Sequence, residues 1–273
     1  MQSSAHHVPP PDLRIIPTAH AYPHETHDDQ RSLPLAERMR HAETIINPPI
    51  VAPVDPDRYV ILDGANRCHV FRHLEYPHLL VQVVGYESGF VELKTWQHII
   101  SGWSHSALLE HLRALDDVSL HEGQDRDAVA HILFPDGNII ALLSPVQSTH
   151  ERNAVLSELV EIYQNNATLY RTAIAEPAEI WPLYPEAIGL VVFPHYTPAD
   201  IIAAVRYEAY LPPGISRHII HGRALRVNYP LDDLQNVEIS LADKNSALQS
   251  WVQARLASRE VRYYAEATYQ FGE

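Results

Sequence analysis

In the stretch YVILDGANRCHVFRHL (Tyr59–Leu74), an apolar run stops at Asp63-Gly64 and a helical pattern begins within three residues. A strand that ends in Asp-Gly and passes into a helix commits this part of the chain to an α/β unit. Such a turn leaves backbone N–H groups at the positive end of the helix, which is a ready place for an anion. Gly64 would let a phosphate approach the backbone past Ala65, Asn66 could donate from its amide, and Arg67 could fork onto phosphate oxygens. Asp63 would then be available to hold Mg²⁺ or to orient a hydroxyl. The same five residues also read as a plain Asp-Gly turn with a helix cap and a solvated arginine.

The flanks supply the rest of the unit. Leu35, Met39, Ala42 and Ile46 recur at helical spacing, predicting a helix over Pro34–Ile46, and the following Asn-Pro-Pro stops it. Ile50–Val54 and Tyr59–Asp63 read as a hairpin around Asp-Pro-Asp-Arg. A helix is expected from Arg67 to Glu75, then a buried strand in Leu79–Tyr86. Further on, SALLEHLRAL is amphipathic, and HILFPDGNIIALL is a hairpin whose Pro-Asp-Gly-Asn carries the turn. Ala154–Ile174 reads as one long helix and IGLVVFPHY as a strand. Thr197-Pro198 reads as an N-cap with proline at the first helical position, Gly214–Leu231 as loop then strand, and Leu248, Trp251, Val252 and Leu256 as a last amphipathic helix.

Composition narrows the function classes. The net charge of −14 over 273 residues argues against duplex DNA as the main partner, because that grip needs a basic face. The single cysteine, Cys68, excludes an internal disulfide and suits a reducing cytoplasm. No apolar run reaches the ~20 residues of a membrane helix, and the polar, proline-rich start MQSSAHHVPPPD reads as a tail over residues 1–12. The eighteen histidines invite a metal reading at His20, His24 and His27 or at His69 and His73, but no recognisable metallo-motif follows. They read more simply as surface or hydrogen-bonding residues. A Walker-type phosphate loop is absent.

The turn between strand and helix resembles the Gly-x-x-Arg nucleotide motif of the ParB/sulfiredoxin superfamily. Sulfiredoxins have a cysteine where this chain has Ala65. Chromosome-partition ParB proteins carry a Glu-Arg-Arg type motif and a DNA-reading domain, and neither is found here. The chain is more similar to the free L-serine kinases of the superfamily, with landmarks in order along nearly its whole length: PHE (Pro23–Glu25), PPIVAPV, YVILDGANR, PHLLVQVVGY, TWQHI (Thr95–Ile99), VVFPHYTPADIIAAVRYEAYLPPGISRHIIHGRALRVNYPL and VRYYAEATYQF. Asn66 departs from the histidine of the archaeal kinases, which leaves the nucleotide open between ATP and ADP.

The resemblance implies a mixed α/β (α+β) protein with a ParB/sulfiredoxin-like nucleotide domain over residues 13–110. A C-terminal α/β domain over residues 111–273 would close the active-site cleft. It implies transfer of a phosphoryl group from ATP or ADP, with Mg²⁺, to L-serine. The product, O-phospho-L-serine, would feed cysteine synthesis or a siderophore precursor. Glu25 would be the general base and Asp63 the second carboxylate and Mg²⁺ contact. Gly64, Ala65, Asn66, Arg67 and His69 would receive the phosphates, with Arg72 also near them. Trp96, His98, Ser216, Arg217 and His218 would receive serine, Arg217 taking its carboxylate. For Glu25 a solvated loop glutamate, and for Trp96 a core residue, are the plain alternatives. No nucleic acid or membrane partner is expected, a cytoplasmic location is, and a homodimer is left open. The competing functions are a catalytically silent nucleotide-binding regulator and a DNA-associated, CTP-using ParB-type protein.

Overall fold

The computed structural model describes residues 8–26, 29–146, 148–174 and 176–264, without the side chains of residues 29–31. In chain order its first elements are β1 (Asp12–Pro17), β2 (Ala21–Tyr22), α1 (Asp29–Arg40), β3 (Thr44–Ile45), β4 (Ile50–Asp55), β5 (Arg58–Asp63), α2 (Ala65–His73) and β6 (His78–Val83). There follow β7 (Val91–Thr95), β8 (Gln97–Ser101), α3 (His105–Arg113), β9 (Ser119–Glu122), β10 (Ala130–Leu133), β11 (Ile139–Leu143), α4 (Thr149–Asn166) and β12 (Thr168–Thr172). The last are α5 (Pro177–Ile180), β13 (Ala187–Val192), α6 (Pro198–Arg206), β14 (Ser216–Ile220), β15 (Tyr229–Pro230), α7 (Leu231–Gln235) and α8 (Leu241–Ala257). The mixed α/β class expected from the sequence is the class found.

The chain divides into two compact units, and neither is continuous in sequence. One lies within Met1–Tyr22, His27–Glu92 and Ile220–Glu273, the other within Pro23–Thr26 and Leu93–Ile219. The division expected at residues 110/111 would cut α3, inside the second unit. The unit boundaries differ because the C-terminal helices pack into the core built by β1 and β6, while a four-residue piece carrying Glu25 belongs with residues more than 180 positions away.

The first unit is a five-stranded sheet in the order β1-β6-β4-β5-β2. β1 runs antiparallel to β6, from Asp12 opposite Val83 to Pro17 opposite His78, and β4 and β5 form the expected hairpin. β4 is parallel to β6, and β2 to β5. Ile15, Val51, Leu79, Leu80, Val81 and Phe71 form its core with Leu248 of α8. β1 is an edge strand, whose outward N–H and C=O groups would otherwise be an open pairing template. α8 closes it with side chains. The Asn245 amide accepts the Ile15 N–H at 2.9 Å and donates to the Ile15 carbonyl at 2.8 Å, and Gln249 donates to the Leu13 carbonyl at 3.0 Å.

The second unit is a six-stranded sheet in the order β12-β8-β13-β10-β11-β9, antiparallel at every pairing. β8 is buried from His98 to Ser101, flanked by strands on both sides. α4 supplies Leu156, Leu159, Val160 and Tyr163, all at most 1% exposed. Its N-terminus carries a capping box between Ser148 and Glu151. The expected Thr197 cap of α6 is present, with Asp200 completing a second capping box.

Two expected helices differ, and one strand was not expected. The helix read over Pro34–Ile46 starts earlier, encloses Pro34 and ends at Arg40, where i→i−3 bonds from His41 and Ala42 close the last turn. Thr44–Ile45 instead pairs with Tyr229–Pro230. The long helix read to Ile174 stops at Asn166, because Thr168–Thr172 is an alternating, β-favouring segment that pairs with β8. The unexpected strand β1, which meets the expected tail of residues 1–12 only at Asp12, has six residues and no sequence-adjacent partner to announce it.

Replacing Asn245 by Ala removes partners from both polar groups of Ile15. It should cost about 1–3 kcal/mol of unfolding free energy, read as a lower thermal midpoint with faster amide exchange at Ile15. An unchanged midpoint would mean that solvent satisfies this edge equally well.

Candidate functional site

In the second unit, the piece Pro23–Thr26 lies along the segment Ala209–Ser216. Leu211 donates its N–H to the His24 carbonyl at 2.8 Å, and Thr26 donates to the Leu211 carbonyl at 2.9 Å, making an isolated parallel bridge at Glu25 and Leu211. The Glu25 carboxylate accepts the Gly214 N–H at 2.7 Å and the Ser216 N–H at 2.6 Å, one on each oxygen. Glu25 is therefore oriented by backbone donors, with its side chain only 16% exposed. Each oxygen keeps lone-pair capacity for a further donor. The solvated-glutamate alternative does not describe it.

Gly214 is required where it stands. Its φ is +79°, and a Cβ there would lie 2.0 Å from the Arg171 guanidinium carbon. Arg171 in turn donates to the Pro213 carbonyl at 3.0 Å. The loop is thus clamped by Glu25 through its N–H groups and by Arg171 through a carbonyl.

Ser216, Arg217 and His218 open β14. The Arg217 guanidinium lies over the Trp96 ring, 4.7 Å from its centroid. Stacking uses the face of the guanidinium and leaves its in-plane N–H donors suited to a carboxylate. The Trp96 N–H donates to the Ile215 carbonyl at 2.8 Å, which holds the two segments in register. The Ser216 hydroxyl is 2.6 Å from His24 Nε2, and the His24 and His218 rings meet edge to face at 5.4 Å.

His98 has a different place from the one expected. It is fully buried on β8, with Nδ1 2.7 Å from the Tyr163 hydroxyl and Nε2 3.1 Å from the Gly214 carbonyl. A carbonyl only accepts, so Nε2 carries the proton and Tyr163 donates to Nδ1. Burial pushes its pKa from 6.5 down to about 4. With both ring nitrogens engaged, His98 supports the Gly214 loop from behind, and any part in serine binding would be indirect.

In the first unit, β5 ends at Asp63 and α2 starts at Ala65 with Gly64 as its N-cap at φ +88°. The strand–turn–helix predicted at this point is present, two residues earlier than expected. Arg67 donates to Asp63 Oδ2 at 3.0 Å and to the Asn47 carbonyl, and Arg223 also donates to Asp63 Oδ2. A Cβ on Gly64 would come within 3.0 Å of the Arg67 guanidinium. Arg67 is thus drawn into the turn by Asp63, and Arg223 is a second cation at the turn that the sequence reading passed over, because 160 residues separate the pair. Asn66 lies in the first turn of α2. His69 and His73 stack at 6.5 Å on one helix face, as their spacing predicts, and Arg72 donates to the Ala21 carbonyl and stands over the Tyr22 ring. Cys68 is buried, and burial pushes its thiol up to about 12, which removes it as a nucleophile near neutral pH.

Among the described residues no group of three or more His, Cys, Asp and Glu side chains is placed to hold a metal ion. His27 lies outside the described residues. Mg²⁺ commonly keeps one or two carboxylates and takes its other ligands from phosphates and water. Asp63 fits that limited role, since both arginines bond Oδ2 and a cation would be met through Oδ1. No helix among the described residues is long and apolar enough to cross a membrane.

These sites sit on a fold seen before. The structure matches that of SbnI with C-terminal truncation from Staphylococcus aureus at a TM-score of 0.72, with 19% identity, over 90% of this chain and 97% of that one. It also matches a free serine kinase in complex with AMP at 0.69, with 17% identity, over 83% of this chain and 95% of that one. The chain therefore shares the mixed α/β fold of these two structures. In sequence, it is 31% identical over 108 residues to an ATP-dependent L-serine kinase of Staphylothermus marinus, a stretch spanning 39% of this chain and 42% of that protein. No protein-family model matches the chain.

His98 also sets a pH dependence. Its pKa is about 4 when folded and 6.5 ordinarily, so the unfolded chain binds the proton first as pH falls. Its contribution to stability is complete above 6.5 and is lost as pH drops toward 4, on the order of 3 kcal/mol at most. Chemical denaturation at several pH values should show this slope, and a His98→Gln variant should lose part of it. An equal slope in both proteins would assign the effect to other groups.

Proposed function

We propose that this chain is a free L-serine kinase that makes O-phospho-L-serine from L-serine and ATP or ADP. The observation that carries the reading is the seating of Glu25 on the N–H groups of Gly214 and Ser216, beside Arg217 stacked on Trp96. Residues 25, 96 and 214–217 are far apart in sequence, and one unit gathers a fixed carboxylate, a guanidinium with free in-plane geometry and an aromatic wall. A free amino acid with a hydroxyl asks for these groups: a base for the hydroxyl and a cation for the carboxylate.

In this mechanism Arg217 pairs with the serine carboxylate and Trp96 walls the side chain. Glu25 accepts the hydroxyl proton as the serine oxygen bonds to the terminal phosphorus of the nucleotide. The bridging P–O bond breaks, and the nucleotide departs one phosphate shorter. The protein supplies position and charge more than covalent chemistry. Gly64, Ala65 and Asn66 receive phosphate at the α2 N-terminus, with Arg67 and Arg223 as the cations. Mg²⁺ bound with the nucleotide would neutralise phosphate charge, and Asp63 is the carboxylate in reach of that role. ATP as donor is favoured by the name of the S. marinus relative, while one solved complex of a mutant free serine kinase holds ADP. A cytoplasmic setting is part of the proposal.

The test is incubation with Mg²⁺, L-serine and, in separate reactions, ATP, ADP or CTP, with phosphoserine read by mass spectrometry. Serine-dependent product with ATP or ADP is expected. Glu25→Gln should lower kcat by about a hundredfold or more while nucleotide binding is kept, and Asp63→Asn should weaken use of the nucleotide. Nucleotide binding without product from any donor would instead favour a catalytically silent regulator.

A further inference from the structure

The proposed kinase mechanism gives no role to His24, a buried side chain at the centre of the second unit's site. Its side chain is 6% exposed, and its Nε2 lies 2.6 Å from the Ser216 hydroxyl and 3.8 Å from Glu25 Oε1. Ser216 is held twice, its N–H by Glu25 and its hydroxyl by His24, while its neighbour Arg217 is stacked on Trp96. A serine hydroxyl has one proton to give and two lone pairs. If that proton is committed to an imidazole nitrogen, the lone pairs are what the hydroxyl offers to anything else. The backbone at residue 216 cannot swing away, because its N–H is bound to Glu25 at 2.6 Å.

We infer that His24 is a positioning residue that accepts the Ser216 O–H and so turns Ser216 Oγ into an acceptor for the ammonium group of the substrate amino acid. This rests on the serine-kinase reading and deepens it. Arg217 recognises the carboxylate and Glu25 the hydroxyl, and the ammonium is the remaining polar group of free serine, which only donates. Ser216 adjoins Arg217 in sequence and shares Glu25, so an acceptor at Oγ lies among the groups assigned to the other two substituents. The device favours an amino acid over a hydroxy acid of the same shape, because the ammonium brings a charge-assisted donor to the Oγ lone pairs where the C2 hydroxyl of glycerate brings only a neutral O–H. His218, edge-on to His24 at 5.4 Å, packs against the ring and limits its rotation.

The experiment compares L-serine with glycerate as acceptors for the wild-type protein, Ser216→Ala, His24→Ala, His24→Gln and the double variant His24→Ala/Ser216→Ala. Replacing a charge-assisted hydrogen bond by none for L-serine, and a neutral one by none for glycerate, should cut the kcat/KM preference for L-serine over glycerate about 10-fold. The loss should fall mainly on KM for L-serine. Ser216→Ala and His24→Ala should each show it, the double variant should show no further loss, and His24→Gln, whose amide oxygen can accept the same O–H, should recover part of it. Thermal midpoints separate these effects from a failure to fold, and calorimetric titration with L-serine reads the same preference without turnover. Additive losses, or a preference unchanged in Ser216→Ala, would overturn the role given to His24. Absence of phosphoserine from the wild-type protein would overturn the kinase reading instead. Calorimetry would then still decide whether Ser216 and His24 act together on serine binding.

Discussion

The second unit depends on one carboxylate. Glu25 belongs to a four-residue piece whose flanking residues are in the other unit, and its two oxygens collect the N–H groups that would otherwise be unsatisfied in the turn at Gly214–Ser216. A partly buried carboxylate needs hydrogen-bond donors, and a loop with inward N–H groups needs an acceptor; each requirement meets the other. Behind the same loop, His98 donates to the Gly214 carbonyl and is itself fixed by Tyr163. The loop that presents Ser216 and Arg217 is therefore held on both sides by residues that sequence distance separates widely. A site that must position a small flexible substrate gains from such rigidity, since little ordering is left for the moment of binding.

The turn in the first unit follows the same logic with opposite charges. Asp63 draws Arg67 and Arg223 toward the start of α2, so two guanidinium groups are assembled beside backbone N–H groups. Mutual pairing lowers the cost of holding like charges near one another. It also keeps the arginines in place when no phosphate is bound.

Local chemistry was readable where the chain speaks to its own neighbours. The Asp63-Gly64 turn, the hairpins at Asp55–Arg58 and Phe134–Asn138, and the Thr197-Pro198 start of α6 were legible because a turn or cap is fixed by a few adjacent residues. Glu25, Arg217 and Trp96 were picked out through resemblance, not spacing. What stayed hidden depended on distant partners. β1 became a strand through β6 and α8, Thr168–Thr172 through β8, and Arg223 acquired its role from Asp63. The burial of His98 is hidden because a histidine in a short motif gives no sign that a buried tyrosine and a carbonyl will engage both nitrogens. The discontinuous units were invisible for the same reason: nothing in Pro23–Thr26 itself says which core it will join.

The side-chain cover of β1 bears on how the chain is made. Asn245 is 230 residues from Ile15, and Gly214 is 189 from Glu25. At translation speeds of about 5–20 residues per second, those partners emerge on the order of ten seconds to a minute after the groups they satisfy. During that interval the nascent chain carries an open strand edge and a glutamate without its loop, both early in sequence. The early strands thus leave the ribosome well before their last partners exist, and the order of synthesis adds to the chain's exposure to misassembly.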